Sequence, residues 1–172
     1  MSIPTAITDV TKLSAFVVLT VPSASNGKLF SISSSLAGSQ AFQLRLGASM
    51  ANINTGAKIM IQSYVSGTWK GVITTSDLTF PKTFCLAVSR NGAAGTIMVN
   101  GVAMATTGSL HSDNGALGTT AYVGKGDGAE PLFFTGSIYH LSVYNRSMDT
   151  AELTKVSLYL QSLMAKRGVT LA

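Results

Sequence analysis

FTGSIYHLSVYNRSMDTAELTKVSLYLQSLMAKRG, residues 134–168, reads as one apolar-rich strand, a corner at Asn145-Arg146 and a single amphipathic helix. Asp149 is placed to cap the helix, with Glu152 three residues on completing a capping box. Leu153, Val156, Leu160, Leu163 and Met164 recur at helical spacing and call for a core beneath them. Gly168 suits the position after the last turn, and Lys166-Arg167 fall in that turn, where cations oppose the negative end of the helix dipole. Nearly everything upstream reads as short strands and turns. The chain is therefore a β protein closed by one helix.

Ala15–Val21, Lys28–Ser33 and Ala41–Leu46 have strand composition. In the last, Phe42, Leu44 and Leu46 alternate with Gln43 and Arg45, which predicts one wet face. Lys58–Val65 and Trp69–Thr74 flank a short hairpin loop, Ser66-Gly67-Thr68. Thr83–Arg90 is almost continuously apolar and predicts a strand crossing the centre of a sheet. Asn100-Gly101 between two strand-like runs is the strongest hairpin signal, because a type I′ turn needs positive φ at both positions. Residues 107–118 and 125–132 read as loops, Ala121–Gly124 as a short strand, and Phe133–Tyr144 as a long closing strand. The organisation expected is one domain: an arm at 1–13, a sandwich at 14–147, and a helix with its tail at 148–172.

At 172 residues the chain can bury a real core. Charged residues make up 11%, against about 25% in ordinary soluble domains. A surface so poor in charge fits either a protein that lies against partners, as a homo-oligomer (dimer or trimer) or an assembly component, or simply a β-sandwich rich in Ser and Thr. The net charge of +5 comes from basic residues scattered along the sequence, so no concentrated face for nucleic acid is expected. No apolar run reaches the length of a bilayer span, and no membrane partner is expected. FVVLTV ends at Pro22 as a first strand and not as a signal peptide, which points to synthesis in a reducing cytoplasm. Cys85, the one cysteine, sits in an apolar run and reads as a small buried hydrophobe.

Three segments carry a resemblance to a known family. LFSISSS with FQLRLG resembles a pair of strands of the laminin G-like, concanavalin A-like jelly roll. TFCLAVSRNGAAGTIMVNGVAMAT is similar to its strand, "VNG" hairpin and return strand. In the closing segment Gly124, Phe134, Gly136, Ile138, Tyr144, Asn145, Arg146 and Glu152 fall on positions of the family's ending. The resemblance covers residues 14 to 168 and implies an all-β, two-sheet antiparallel jelly-roll sandwich with one C-terminal α-helix. Two departures stand out: Val18-Leu19-Thr20-Val21 lacks the family's usual tryptophan, and Thr83-Phe84-Cys85-Leu86-Ala87 replaces its common central "WhhvA". The terminal helix and the Ser/Thr/Gly/Ala-rich composition are similar to standalone jelly-roll modules of tailed-phage virion proteins. That likeness implies a surface capsid decoration protein or compact fibre module, with other virion proteins as partners and the virion surface as location.

Chemistry is sparse. The glucanase branch of this fold needs clustered carboxylates on one strand, about 5 Å apart in retaining enzymes. Here the aspartates are isolated, Glu152 is committed to the cap, and no pair lies at i, i+2 on a strand, so no catalytic residues are expected. His111 and Asp113 have no partner spacing for a triad, and two histidines with one buried cysteine give no zinc site. Two binding possibilities remain. The resemblance implies Ca²⁺ through loop oxygens, for which Asp113, Asn114 and Asp127 are the candidates, although turns select the same residues for backbone reasons. Trp69 after its hairpin turn offers a stacking face for a host surface glycan, with His111 in a neighbouring loop; the alternative is an indole packed on its own sheet.

Overall fold

The computed structural model describes residues 2–4, 7–24, 27–34, 40–48, 56–113, 117–124 and 133–172. Among the described residues twelve strands precede the helix. They are β1 (Ser2–Pro4), β2 (Lys12–Val21), β3 (Gly27–Ser34), β4 (Gln40–Gly47), β5 (Lys58–Val65) and β6 (Thr68–Thr74), then β7 (Lys82–Asn91), β8 (Ala94–Val99), β9 (Val102–Ala103), β10 (Thr106–Ser109), β11 (Leu117–Val123) and β12 (Ser137–Tyr144). α1 spans Thr150–Ala165. One sheet has seven strands in the order β1-β11-β3-β4-β5-β6-β10, the other five in the order β12-β2-β7-β8-β9, and every pairing is antiparallel. This is the two-sheet sandwich with one helix that the sequence predicts.

The main core lies between the sheets. Val17, Leu19, Phe84, Leu86 and Val88 meet Phe30, Ile32, Phe42, Leu44 and Ile61 there. A second cluster lies on the other side of the narrow sheet, where Phe16, Val18, Cys85, Ala87 and Met98 pack under Leu153, Leu160 and Met164 of the helix. β2 and β7 are thus buried on both faces, which explains why their sequences are nearly continuous apolar runs. Each fully buried aliphatic or aromatic side chain there contributes roughly 1.5–3 kcal/mol.

Asn100 and Gly101 have φ of 53° and 81°, the positive pair that a type I′ hairpin requires. The Asp149 carboxylate accepts from the Glu152 amide at 2.8 Å, and the Glu152 carboxylate accepts from the Asp149 amide at 3.3 Å. Arg146 in the corner pairs with Glu152 at 2.8 Å.

Several expectations are corrected. Residues 1–13 are not a free arm in their described part: Ser2–Pro4 pairs with β11, and Val10 and Leu13 are core residues. Gln43 and Arg45 are not wet but 2% exposed each. β4 is the middle strand of seven, and Gln43 Nε2 donates to Gln62 Oε1 of the next strand, so neighbouring side chains cover one another. Thr68 belongs to β6 and pairs with Val65, which shortens the hairpin loop to Ser66-Gly67. The two ends of the loop expected at 107–118 belong to strands, Thr107–Ser109 to β10 and Leu117-Gly118 to β11, and β12 starts only at Ser137. Lys166 is the C-cap, so Lys166 and Arg167 lie just past the helix.

Candidate functional site

The β5–β6 hairpin turns at Ser66-Gly67, whose φ of 49° and 82° again suit a tight primed turn. Val65 and Thr68 close it as a residue pair, and the next pair is Tyr64 and Trp69. Strand alternation puts these two rings in phase with Met60 and Gln62, away from the core-facing Ile59 and Ile61. Their centroids are 5.0 Å apart with planes tilted by 50°. The indole is 39% exposed, so it is supported from one side and open on the other. An aromatic ring held in this way presents a flat apolar face without having to be ordered on binding.

His111 reaches the same hairpin. Its amide donates to Ser63 Oγ at 2.9 Å, and its ring Nε2 lies 3.2 Å from the carbonyl oxygen of Thr68, the residue before Trp69. Upstream, the Leu110 amide donates to Ala93 O at 2.9 Å, and Leu110 is buried in the core. The segment is therefore pinned to both sheets.

The residue that organises this rim was not among the sequence candidates. Arg90 follows Phe84, Leu86 and Val88 on the inward face of β7 and is fully buried. Its Nη2 donates to the carbonyl oxygens of His111 at 2.6 Å and Asp113 at 2.9 Å, and its Nε donates to Gly92 O at 3.1 Å. Burial pulls the guanidinium down to about 10, with the negative charges of Asp9 and Asp113 opposing that shift. It remains a cation at neutral pH. The signal was available in the alternation of β7, which carries an arginine inward at the end of an apolar row.

Of the five residues singled out in the sequence, Trp69 and His111 converge on the β5–β6 hairpin and Asp113 shares the Arg90 anchor with His111. Asn114 and Asp127 lie outside the described residues. Among those described, no three His, Cys, Asp or Glu side chains come together as a metal cluster. Several described acids have structural partners: Asp77 pairs with Lys58 at 3.2 Å, Asp9 accepts from the Thr11 amide and hydroxyl, and Asp149 and Glu152 cap the helix. A separate cleft of about 450 Å³ opens at the start of α1, lined among others by Ser89, Asn91, Thr96, Met148 and Thr150. The Met148 amide donates there to Ser14 Oγ and Ser89 Oγ, so those hydroxyls serve the corner between β12 and the helix.

Comparison with known proteins agrees with this architecture. A family model described as the Concanavalin A-like lectin/glucanases superfamily matches residues 4–154. No curated protein matches the chain by sequence. Among solved structures, the native heptameric SAP-like pentraxin from Limulus polyphemus is similar at TM-score 0.64 and 14% identity, covering 91% of this chain and 72% of that one. A putative carbohydrate binding protein from Bacteroides ovatus is similar at TM-score 0.65 and 13% identity, over 90% of this chain but 43% of that one. The Ruminococcus gnavus IT-sialidase CBM40 matches at TM-score 0.63 and 15% identity, over 87% and 84%.

Proposed function

We propose that this chain, which belongs to the concanavalin A-like lectin/glucanases superfamily, is a non-catalytic binding module that holds a glycan on the rim around Trp69. The observation that carries the reading is the half-open Trp69 ring backed by Tyr64 beside a loop pinned by a buried arginine. Such a ring stacks on the apolar face of a sugar, while His111 and the hairpin backbone offer polar contacts around it. The sialidase module of similar fold is described bound to α2,3-sialyllactose, in keeping with a sugar as ligand for this fold. The test is a glycan array followed by affinity measurement of the best hit. Trp69→Ala is expected to weaken binding at least about tenfold, equivalent to ~1.4 kcal/mol. A wild-type protein that binds nothing on a broad array removes the reading, and polysaccharide turnover lost in an Asp127→Asn variant removes the non-catalytic part of it.

A second reading is a structural protein of a tailed-phage virion, a surface capsid decoration protein or compact fibre module acting by protein–protein contact. It is supported by the 11% charged composition and by Val102, Leu158 and Tyr159, which are exposed around the helix and the hairpin beside it. Cosedimentation with particles and self-association in solution test it. A strictly monomeric protein that never sediments with capsids or tails counts decisively against it.

A further inference from the structure

The laminin G-like resemblance implies a calcium ion held by loop oxygens, and Asp113 is the one described residue of the three candidates. The donor set around it does not fit such an ion. Calcium collects carbonyl and carboxylate oxygens. Here the carbonyl oxygens of Gly92, His111 and Asp113 all accept hydrogen bonds from a single buried guanidinium. The carboxylates of Asp9 and Asp113 lie near enough to favour its charged form. Carbonyl dipoles and carboxylate charge are thus arranged around a positive centre, and that centre is a side chain.

We infer that Arg90 is the resident cation of this rim, a positioning residue that fixes the segment around His111 and Asp113 so that the rim keeps its shape without a divalent metal. A planar fork gives directed bonds to two carbonyls from one nitrogen and to a third from another, which a spherical ion or a lysine does not reproduce in the same geometry. A Ca²⁺ ion brought among these oxygens would face a fixed positive charge and would have to displace charge-assisted hydrogen bonds. The guanidinium also joins the two sheets. It projects from β7 of the narrow sheet, and His111 in turn donates to Ser63 on β5 of the wide sheet. The consequence for ligand binding rests on the reading above: glycan affinity at this rim would be indifferent to chelators.

The test uses the full chain and Ca²⁺ itself as probe. Thermal melting and amide hydrogen exchange of residues 109–113 are followed in EDTA and through a Ca²⁺ titration, for the wild type, Arg90→Lys and Arg90→Met. The wild type is expected to show the same melting temperature and the same protection throughout. Arg90→Lys keeps the charge and loses the fork, so exchange in 109–113 should accelerate roughly tenfold while the helix at 150–165 stays protected, as expected for losing one charge-assisted hydrogen bond locally. Arg90→Met should accelerate it at least as much. The inference is overturned by a wild-type protein that Ca²⁺ stabilises. It is overturned equally by Arg90 variants that leave 109–113 protected or that loosen the whole chain evenly. Should neither variant fold, the wild-type titration still decides against it if protection rises with Ca²⁺. No glycan enters these measurements, so a blank array sinks the binding reading alone and a calcium response sinks this one alone.

Discussion

Tyr64 and Trp69 face each other across the β5–β6 hairpin with ring centroids 5.0 Å apart, one ring half-buried and the other open to solvent. A pair of this kind contributes beyond its buried area, by about 0.5–1.5 kcal/mol. A double-mutant cycle with Tyr64→Ala, Trp69→Ala and the double variant, measured by urea unfolding, should return a coupling in that range. Additive single effects would mean that Tyr64 does not support the indole, and the preorganised platform would lose its basis.

The Asn100 side chain does two things at once. Its backbone holds φ at 53° in the hairpin, and its Oδ1 accepts from the Cys85 amide at 2.8 Å. Asn100→Gly keeps the backbone conformation and loses that hydrogen bond together with the one its Nδ2 donates to Ala172 O at 2.8 Å, at about 1 kcal/mol each. Asn100→Ala loses both hydrogen bonds and keeps a Cβ in the left-handed region without the polar side chain that eases it, which costs about 1–2 kcal/mol more than glycine there. Unfolding free energies should fall in the order wild type, glycine, alanine; an alanine variant as stable as the glycine variant would contradict the strain argument.

The Asn100-Gly101 turn, the capping box and the apolar runs of β2 and β7 were legible because each is a local signal whose cause lies within a few residues. The outer face of β4 was not. Alternation fixed which side Gln43 and Arg45 occupy, but their coverage depends on β4 being the middle strand of seven, with Gln62 brought alongside from β5. Sequence spacing carries no information on strand order. The segment before Leu13 failed as an arm for a similar reason, since its polar look hid Val10, whose partners lie far along the chain. In the site, Trp69 was legible as a ring next to a tight turn. Arg90 was passed over as one scattered cation among twelve basic residues, although its phase with Phe84, Leu86 and Val88 already pointed it inward.

Burial pushes the Cys85 thiol up to about 11 from an ordinary 9.0, with the neighbouring Ser157 hydroxyl opposing the shift. The fold therefore favours the neutral thiol, and the unfolded chain ionises first as pH rises. The resulting stabilisation is fully present below pH 9.0 and is lost as pH climbs towards 11. Two units correspond to roughly 2–3 kcal/mol. Over that window the wild type should lose this much more stability than Cys85→Ala, and the native thiol should resist alkylation at pH 8 for as long as the fold stays closed. Parallel pH–stability curves for the two proteins would show that the thiol is not desolvated.

Asp149 caps the helix that covers the outer face of the narrow sheet. Its carboxylate accepts from the Glu152 amide, and its own amide donates back to the Glu152 carboxylate, which also pairs with Arg146. Asp149→Ala removes the cap at about 1 kcal/mol. Glu152→Gln keeps the return hydrogen bond to the Asp149 amide while giving up the exposed ion pair, so its cost should stay within about 0.5 kcal/mol. The helix covers the cluster of Phe16, Val18, Cys85 and Met98, so fraying its first turn should expose Cys85. Thiol labelling of Asp149→Ala should be faster than that of the wild type, with Glu152→Gln close to the wild type. Equal labelling rates for all three would mean that the first turn opens without uncovering the narrow sheet, and that Leu160 and Met164 alone keep the cluster closed.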